Sequence, residues 1–286
     1  MADTLAALLD AAAAELAAAS PAPRLDAELL LAHVLGKERS YLRAYPEKRL
    51  DAQALGTFQN LTAARKGGEP IAYLTSKREF WSLPLKVTPA TLIPRHETEL
   101  LVELALERIP ADASWRLLDL GTGSGALALA LAHERPHCRI TATDLSTEAL
   151  AVAAENAAGL GLGNVEFLAG DWFAPLADRR FHLIVSNPPY VREDDPHLKM
   201  GDVRFEPRSA LTAGHDGLRD LSNIVAAAPR HLEQGAWLLL EHSYDQGSAA
   251  RALLSRRGFS DTTTSRDLQG ADRVSSGLWA NPAAAR

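Results

Sequence analysis

A single cysteine, Cys138, leaves this 286-residue chain without an internal disulfide and suits a reducing compartment, with the thiol serving as a small buried apolar group. No uninterrupted apolar stretch approaches membrane-spanning length. The Ala-rich start, Met1 to Ser20, carries Asp3, Asp10 and Glu15 and no basic n-region, so it is not read as a signal peptide. Positive charge is short as well. The net charge of −6 supplies no global field for nucleic acid, although a local basic patch is compatible with it. Metal-ligand spacing is missing among the nine histidines: His133 and His137 are four apart, but Pro136 stands between them at a helix end, and no metal is expected. Repeats and low-complexity linkers are absent too. What is there, 47% hydrophobic and 23% charged residues, is ordinary for a globular enzyme with room for one large domain and one small.

Periodicity divides the chain into unequal parts. Residues 1–68 read as helical: Leu5, Leu8, Leu9, Ala12 and Leu16 form a stripe broken at Ser20-Pro21, Leu25 to Leu35 stops at Gly36, and Ala52 to Arg65 stops at Gly67-Gly68. Residues 69–95 turn β-rich and aromatic, with Ile71-Ala72-Tyr73-Leu74 and then Phe80 to Val87, and predict a hairpin linker. Residues 96–286 alternate helix and strand, the pattern of a doubly wound parallel sheet in the α/β class. The last two segments, Phe259–Arg266 and Arg273–Ala280, predict an antiparallel pair.

Chemistry concentrates where strands end. Phe181 to Ser186 reads as a buried strand followed by Asn187-Pro188-Pro189-Tyr190, a loop where open α/β sheets bind ligands. An amide or amino nitrogen is a poor nucleophile because its lone pair is delocalised. An Asn oxygen and an adjacent backbone carbonyl can accept its two N–H bonds and aim that lone pair at a methyl donor. Pro188 and Pro189 stiffen the backbone, and Tyr190 can lie against a flat amide. The same four residues also make an ordinary turn.

Upstream, Asp119-Leu120-Gly121-Thr122-Gly123-Ser124-Gly125 follows the strand-like Trp115 to Leu118 and opens the helix Ala126–Ala132. Gly121, Gly123 and Ala126 satisfy the relaxed dinucleotide fingerprint, but Asp119 is ill placed beside a pyrophosphate and well placed near the cationic S-adenosylmethionine. Arg139 to Asp144 ends in an acid for ribose hydroxyls, a device nicotinamide enzymes share. Val165 to Ala169 runs into Gly170-Asp171-Trp172, an acid and an aromatic suited to adenine. Each acid has a duller alternative as a helix cap, and Trp172 as core filling. Three acids at successive strand ends favour a nucleoside site.

Further blocks are Glu69 to Leu74, Arg78 to Trp81, Leu92 to Arg95, Gly201-Asp202-Val203-Arg204-Phe205-Glu206-Pro207 and Leu239 to His242. With Asp119–Gly125 and Asn187–Tyr190, they make the chain resemble the protein-(glutamine-N5) methyltransferases of peptide chain release factors, the PrmC/HemK family. His96 stands where that family usually has proline. The resemblance implies a seven-strand Rossmann-like methyltransferase sheet with an N-terminal helical domain. It implies S-adenosylmethionine as cofactor at Gly121–Gly125, Asp144, Trp172 and Asn187, with Asn187–Tyr190 holding a glutamine. Asp119 and Asp171 join this cofactor set, and Asn187, Pro188 and Tyr190 are the catalytic candidates. The partner implied is the Gly-Gly-Gln loop of class I release factors, met by a cytoplasmic monomer with no stable nucleic-acid or membrane partner. The alternatives are a glutamine methyltransferase of a large-subunit ribosomal protein, an amino-methyltransferase of nucleic-acid bases and a non-catalytic cofactor-binding module.

Overall fold

The computed structural model describes residues 4–280. They divide into two units, one of residues 4–77 with 196–205 and one of 78–195 with 206–280.

The first unit is helical: α1 (Leu5–Leu16), α2 (Pro23–Leu35), α3 (Arg39–Ala44), α4 (Ala52–Lys66) and α5 (Ile71–Thr75). Local chemistry sets their ends. Thr4 caps α1 by accepting from the Ala7 amide, Asp51 caps α4 from the Ala54 amide, and Gly36 ends α2 with φ +60°. Leu5, Leu9, Leu30, Leu31, Leu42 and Phe58 form its core, each contributing about 1.5–3 kcal/mol on full burial. Ile71 and Leu74 pack against that core from α5. The β reading of Ile71 to Leu74 is therefore corrected: the segment is one helical turn, closed by Ser76 at φ +54°. Buried Arg65 bonds Asp26 at 2.7 Å and Asp202 at 2.9 Å, and Arg204 donates to the Gly67 carbonyl at 2.6 Å. Through these bonds the stretch 196–205 belongs to this unit.

The strands β1 (Lys77–Phe80) and β2 (Leu83–Lys86) make a hairpin whose Phe80, Leu83 and Leu85 join the core of the second unit. Its turn residues Trp81 and Ser82 have φ of +52° and +58°, where side chains are uncommon. Glu99 accepts from the Trp81 amide and Glu134 from its indole N–H, which hold the turn.

Next come a 3-10 turn (His96–Thr98), α6 (Glu99–Arg108), β3 (Arg116–Leu120), α7 (Ala126–Glu134), β4 (Arg139–Asp144), α8 (Thr147–Leu160), β5 (Val165–Ala169), β6 (Phe181–Ser186), α9 (Arg219–Ala227), β7 (Leu232–Glu241), α10 (Gly247–Arg257), β8 (Ser260–Arg266) and β9 (Asp272–Trp279). The seven-strand sheet runs β5-β4-β3-β6-β7-β9-β8, parallel from β5 to β7, with β9 antiparallel to both neighbours. Alternate strand residues go to opposite faces. Leu117, Ile140 and Leu183 meet α6 and α7, whereas Leu118, Leu120 and Ile184 meet α9 and α10. This is the Rossmann-like class I methyltransferase arrangement. Strand order reverses at β3 and β6, and that switch point is where such sheets open a crevice. Among the described residues no helix is long and apolar enough to cross a membrane.

Candidate functional site

The ladder carries β3 two residues beyond Leu118, pairing Asp119 with Ala142 and Val185. Asp119 therefore sits inside the strand and is fully buried, a correction to its placement in the turn. Thr122 donates to its Oδ2 at 2.6 Å and the Ala128 amide at 3.2 Å, while Oδ1 is buried without a partner. Burial pushes its carboxyl up to about 7, against the pull of those two bonds.

The glycine turn folds over the end of β4. Gly121 and Thr122 donate to the Thr143 carbonyl at 2.9 and 3.0 Å, and Gly123 donates to Asp144 Oδ2 at 2.8 Å. The Gly121, Thr122 and Gly123 amides are thus committed within the protein and are not free to cradle a pyrophosphate. Gly121, Gly123 and Gly125 all have positive φ, and a Cβ on Gly121 would come within 3.2 Å of the Trp172 ring. Close approach to that ring is what requires glycine. Asn156 of α8, unmarked in the sequence, steadies the turn by donating to the Ser124 carbonyl at 2.9 Å.

Gly121, Gly123, Asp144, Asp171, Trp172, Asn187 and Pro189 line one cavity of about 530 Å³. Asp119, Thr122 and Ser124 are buried off that wall, as are Gly125 and Pro188, and Tyr190 does not line it either. Asp144 Oδ1 accepts from the Ser146 amide at 2.9 Å, yet each of its oxygens keeps a lone pair for a hydroxyl. Trp172 is held at φ +46°, an uncommon conformation for a large side chain, as Thr143 donates to its carbonyl. Asp220 adds a third carboxylate to the wall, beside Arg219. A cationic, phosphate-free nucleoside fits this donor set.

Asn187 follows β6 directly, and its Nδ2 donates to Thr98 Oγ1 at 3.1 Å. Tyr190 sends its hydroxyl to Glu241 Oε1 at 3.3 Å, and Gln246 donates to the Tyr190 carbonyl at 3.1 Å and the Gly217 carbonyl at 3.2 Å. The loop's exit pairs with residues 211–213, the Val191 amide donating to Leu211 at 2.8 Å. Burial raises the Glu241 carboxyl to about 7, with Thr98, Arg273 and Tyr190 pulling the other way. Burial also raises the Tyr190 phenol, keeping it protonated. Glu206 accepts from the Ile93 amide at 3.1 Å and pairs with Arg95, so Glu206 and Arg204 both brace the chain.

Thr98, Glu241 and Gln246 carried no role in the sequence reading. Glu241 ends an apolar strand as Asp144 does, so the signal was present. Gln246 offers no pattern at all.

Residues 7–75 match the PrmC N-terminal domain family and residues 97–206 the methyltransferase small domain family. The release factor glutamine methyltransferase of Vibrio cholerae is 53% identical over 281 residues, covering 98% of each chain. That of Pseudomonas aeruginosa is 55% identical over 261 residues, 91% of this chain and 94% of its own. A methyltransferase from Pyrococcus furiosus shares the fold at 16% identity and a TM-score of 0.54, over 80% of this chain and 100% of its own.

Proposed function

The chain belongs to the release factor glutamine methyltransferases, and on that premise we propose that it methylates the side-chain amide nitrogen of the glutamine in the Gly-Gly-Gln loop of class I release factors, using S-adenosylmethionine. When bound, that cofactor would supply an electrophilic methyl group on a sulfonium, whose departure as a neutral thioether needs no help from an acid or metal. The residues of the chain then have to position and desolvate an amide nitrogen.

Asn187 carries the reading. Its position at the cavity wall, with Nδ2 turned to Thr98, leaves Oδ1 to accept one N–H of the glutamine. The Pro188 carbonyl, next along a backbone fixed by two prolines, is the candidate acceptor for the second. Both acceptors strengthen as those N–H groups grow more acidic toward the transition state, and the departing proton passes to water. Asp144 faces the ribose hydroxyls, and Trp172 and Asp171 the adenine. Glycines beside the target glutamine let a loop tip enter a narrow site. The helical unit carries no chemical motif and is assigned to recognition of the protein substrate.

The test is incubation of the purified protein with methyl-labelled S-adenosylmethionine and, separately, release factor, ribosomal protein, DNA and RNA. Label is expected in the release factor glutamine. Label in nucleic acid or ribosomal protein and none in release factor overturns the reading.

A further inference from the structure

We propose that Thr98 and Glu241 are positioning residues for the transfer, fixing which end of the Asn187 side chain faces the cavity. The inference rests on Asn187 holding the substrate amide. An Asn side chain has two ends of nearly equal size, one an acceptor and one a donor, and only the acceptor can receive a substrate N–H. A half-turn of the amide would set N–H against N–H and abolish the fit without changing the shape of the site.

The surroundings of Asn187 remove that ambiguity. Thr98 is buried at the close of the 3-10 turn before α6 and takes the Asn187 Nδ2–H on its Oγ1 at 3.1 Å. A hydroxyl has one proton and two lone pairs. The Glu241 carboxyl, 1% exposed at the end of β7 and with its buried Oε2 otherwise without a partner, is the acceptor beside Thr98 for that proton, which leaves the hydroxyl lone pairs for Asn187. That polarity holds Nδ2 inward and Oδ1 toward the cavity. The Tyr190 hydroxyl donates to the same carboxyl at 3.3 Å, so Glu241 anchors both residues that flank the two prolines. Arg273 and Glu97 act on Glu241 with opposite sign, and Arg95 and Arg273 act on Tyr190.

The test is steady-state kinetics with a Gly-Gly-Gln peptide on Thr98→Val, Thr98→Ser, Asn187→Ala and the double variant Thr98→Val with Asn187→Ala. Thr98→Val keeps the side-chain shape and removes the acceptor, and kcat is expected to fall about tenfold to a hundredfold. Cofactor Kd, the KM for peptide and Tm should move little. Thr98→Ser should restore kcat, and Thr98→Val should add no further loss once Asn187 is alanine, because both changes act on one contact. Glu241→Leu should reproduce the loss and Glu241→Gln, which keeps an acceptor oxygen, should not. If Glu241→Leu fails to fold, the threonine pair decides. Near-normal kcat in Thr98→Val beside a large loss in Asn187→Ala overturns the positioning role, as does an additive double variant. Near-normal kcat in Asn187→Ala overturns the reading of Asn187 itself.

Discussion

Asn187 and Asp144 make opposite demands on a kinetic experiment. Asn187→Ala should lower transfer about a hundredfold or more at saturating cofactor, the scale for losing a preorganised polar contact at the reacting centre. Single-turnover kinetics checks it. Asp144→Ala should instead weaken S-adenosylmethionine and its demethylated product alike, by about 1.5–3 kcal/mol for each ribose bond lost, read by calorimetry. Saturating cofactor should return much of that rate, since ribose is remote from the chemistry. Asp119 and Glu241 bear on stability. Burial raises both carboxyls to about 7, so the folded state binds more protons than the unfolded one between the ordinary carboxylate range and neutrality. Stability is then fully present at low pH and lost as pH rises to about 7, on the order of a few kcal/mol per group. Urea unfolding across pH should show that slope flattened in Asp119→Asn. An unchanged slope would mean that Asp119 is not the group titrating.

At the scale of elements, the turn before α9 is fitted to the Asn187–Tyr190 loop. Gly217 stands at φ +72°, and a Cβ there would strike the Tyr190 carbonyl and Gln246. Gly217→Ala should cost about 1–3 kcal/mol in a denaturant midpoint and lower turnover, with cofactor affinity kept. An unchanged midpoint would mean that the turn is not held against the loop. Strands were the legible elements. β4, β5 and β6 have the bounds their segments predict: β6 is an apolar run buried on both faces, and β5 is a half-exposed strand at the sheet edge. The apolar pattern ends β3 two residues short because Asp119 is acidic, and its burial depends on Thr122 and the Ala128 amide, partners no local pattern announces. Ile71 to Leu74 misled in the other direction: a β-prone run becomes a helical turn when Ile71 and Leu74 find a helical core to pack on. The cavity wall from Gly121 to Asn187 was visible as acids and glycines at strand ends. Thr98 was not, because a buried threonine acting on Asn187, 89 positions away, has no sequence signature.

For the whole molecule, the helical unit is composed of two separate stretches of chain, 4–77 and 196–205. A chain beginning at Arg78 should keep S-adenosylmethionine affinity, because the cavity lining lies between Ala90 and Asn223. It should lose efficiency on intact release factor much more than on a Gly-Gly-Gln peptide, provided circular dichroism shows it folded. Asp202 would lack Arg65 and Arg204 would lack the Gly67 carbonyl, so limited proteolysis should cut within 196–205. Equal losses on protein and peptide would mean that the helices support catalysis and do not select substrate. The interrupted composition of this unit also bears on heredity. A single recombination at Lys77 would give a recipient gene the helices and leave behind the distant stretch that folds with them. Exchange between lineages at that point would part Arg65 from Asp202 and the Gly67 carbonyl from Arg204.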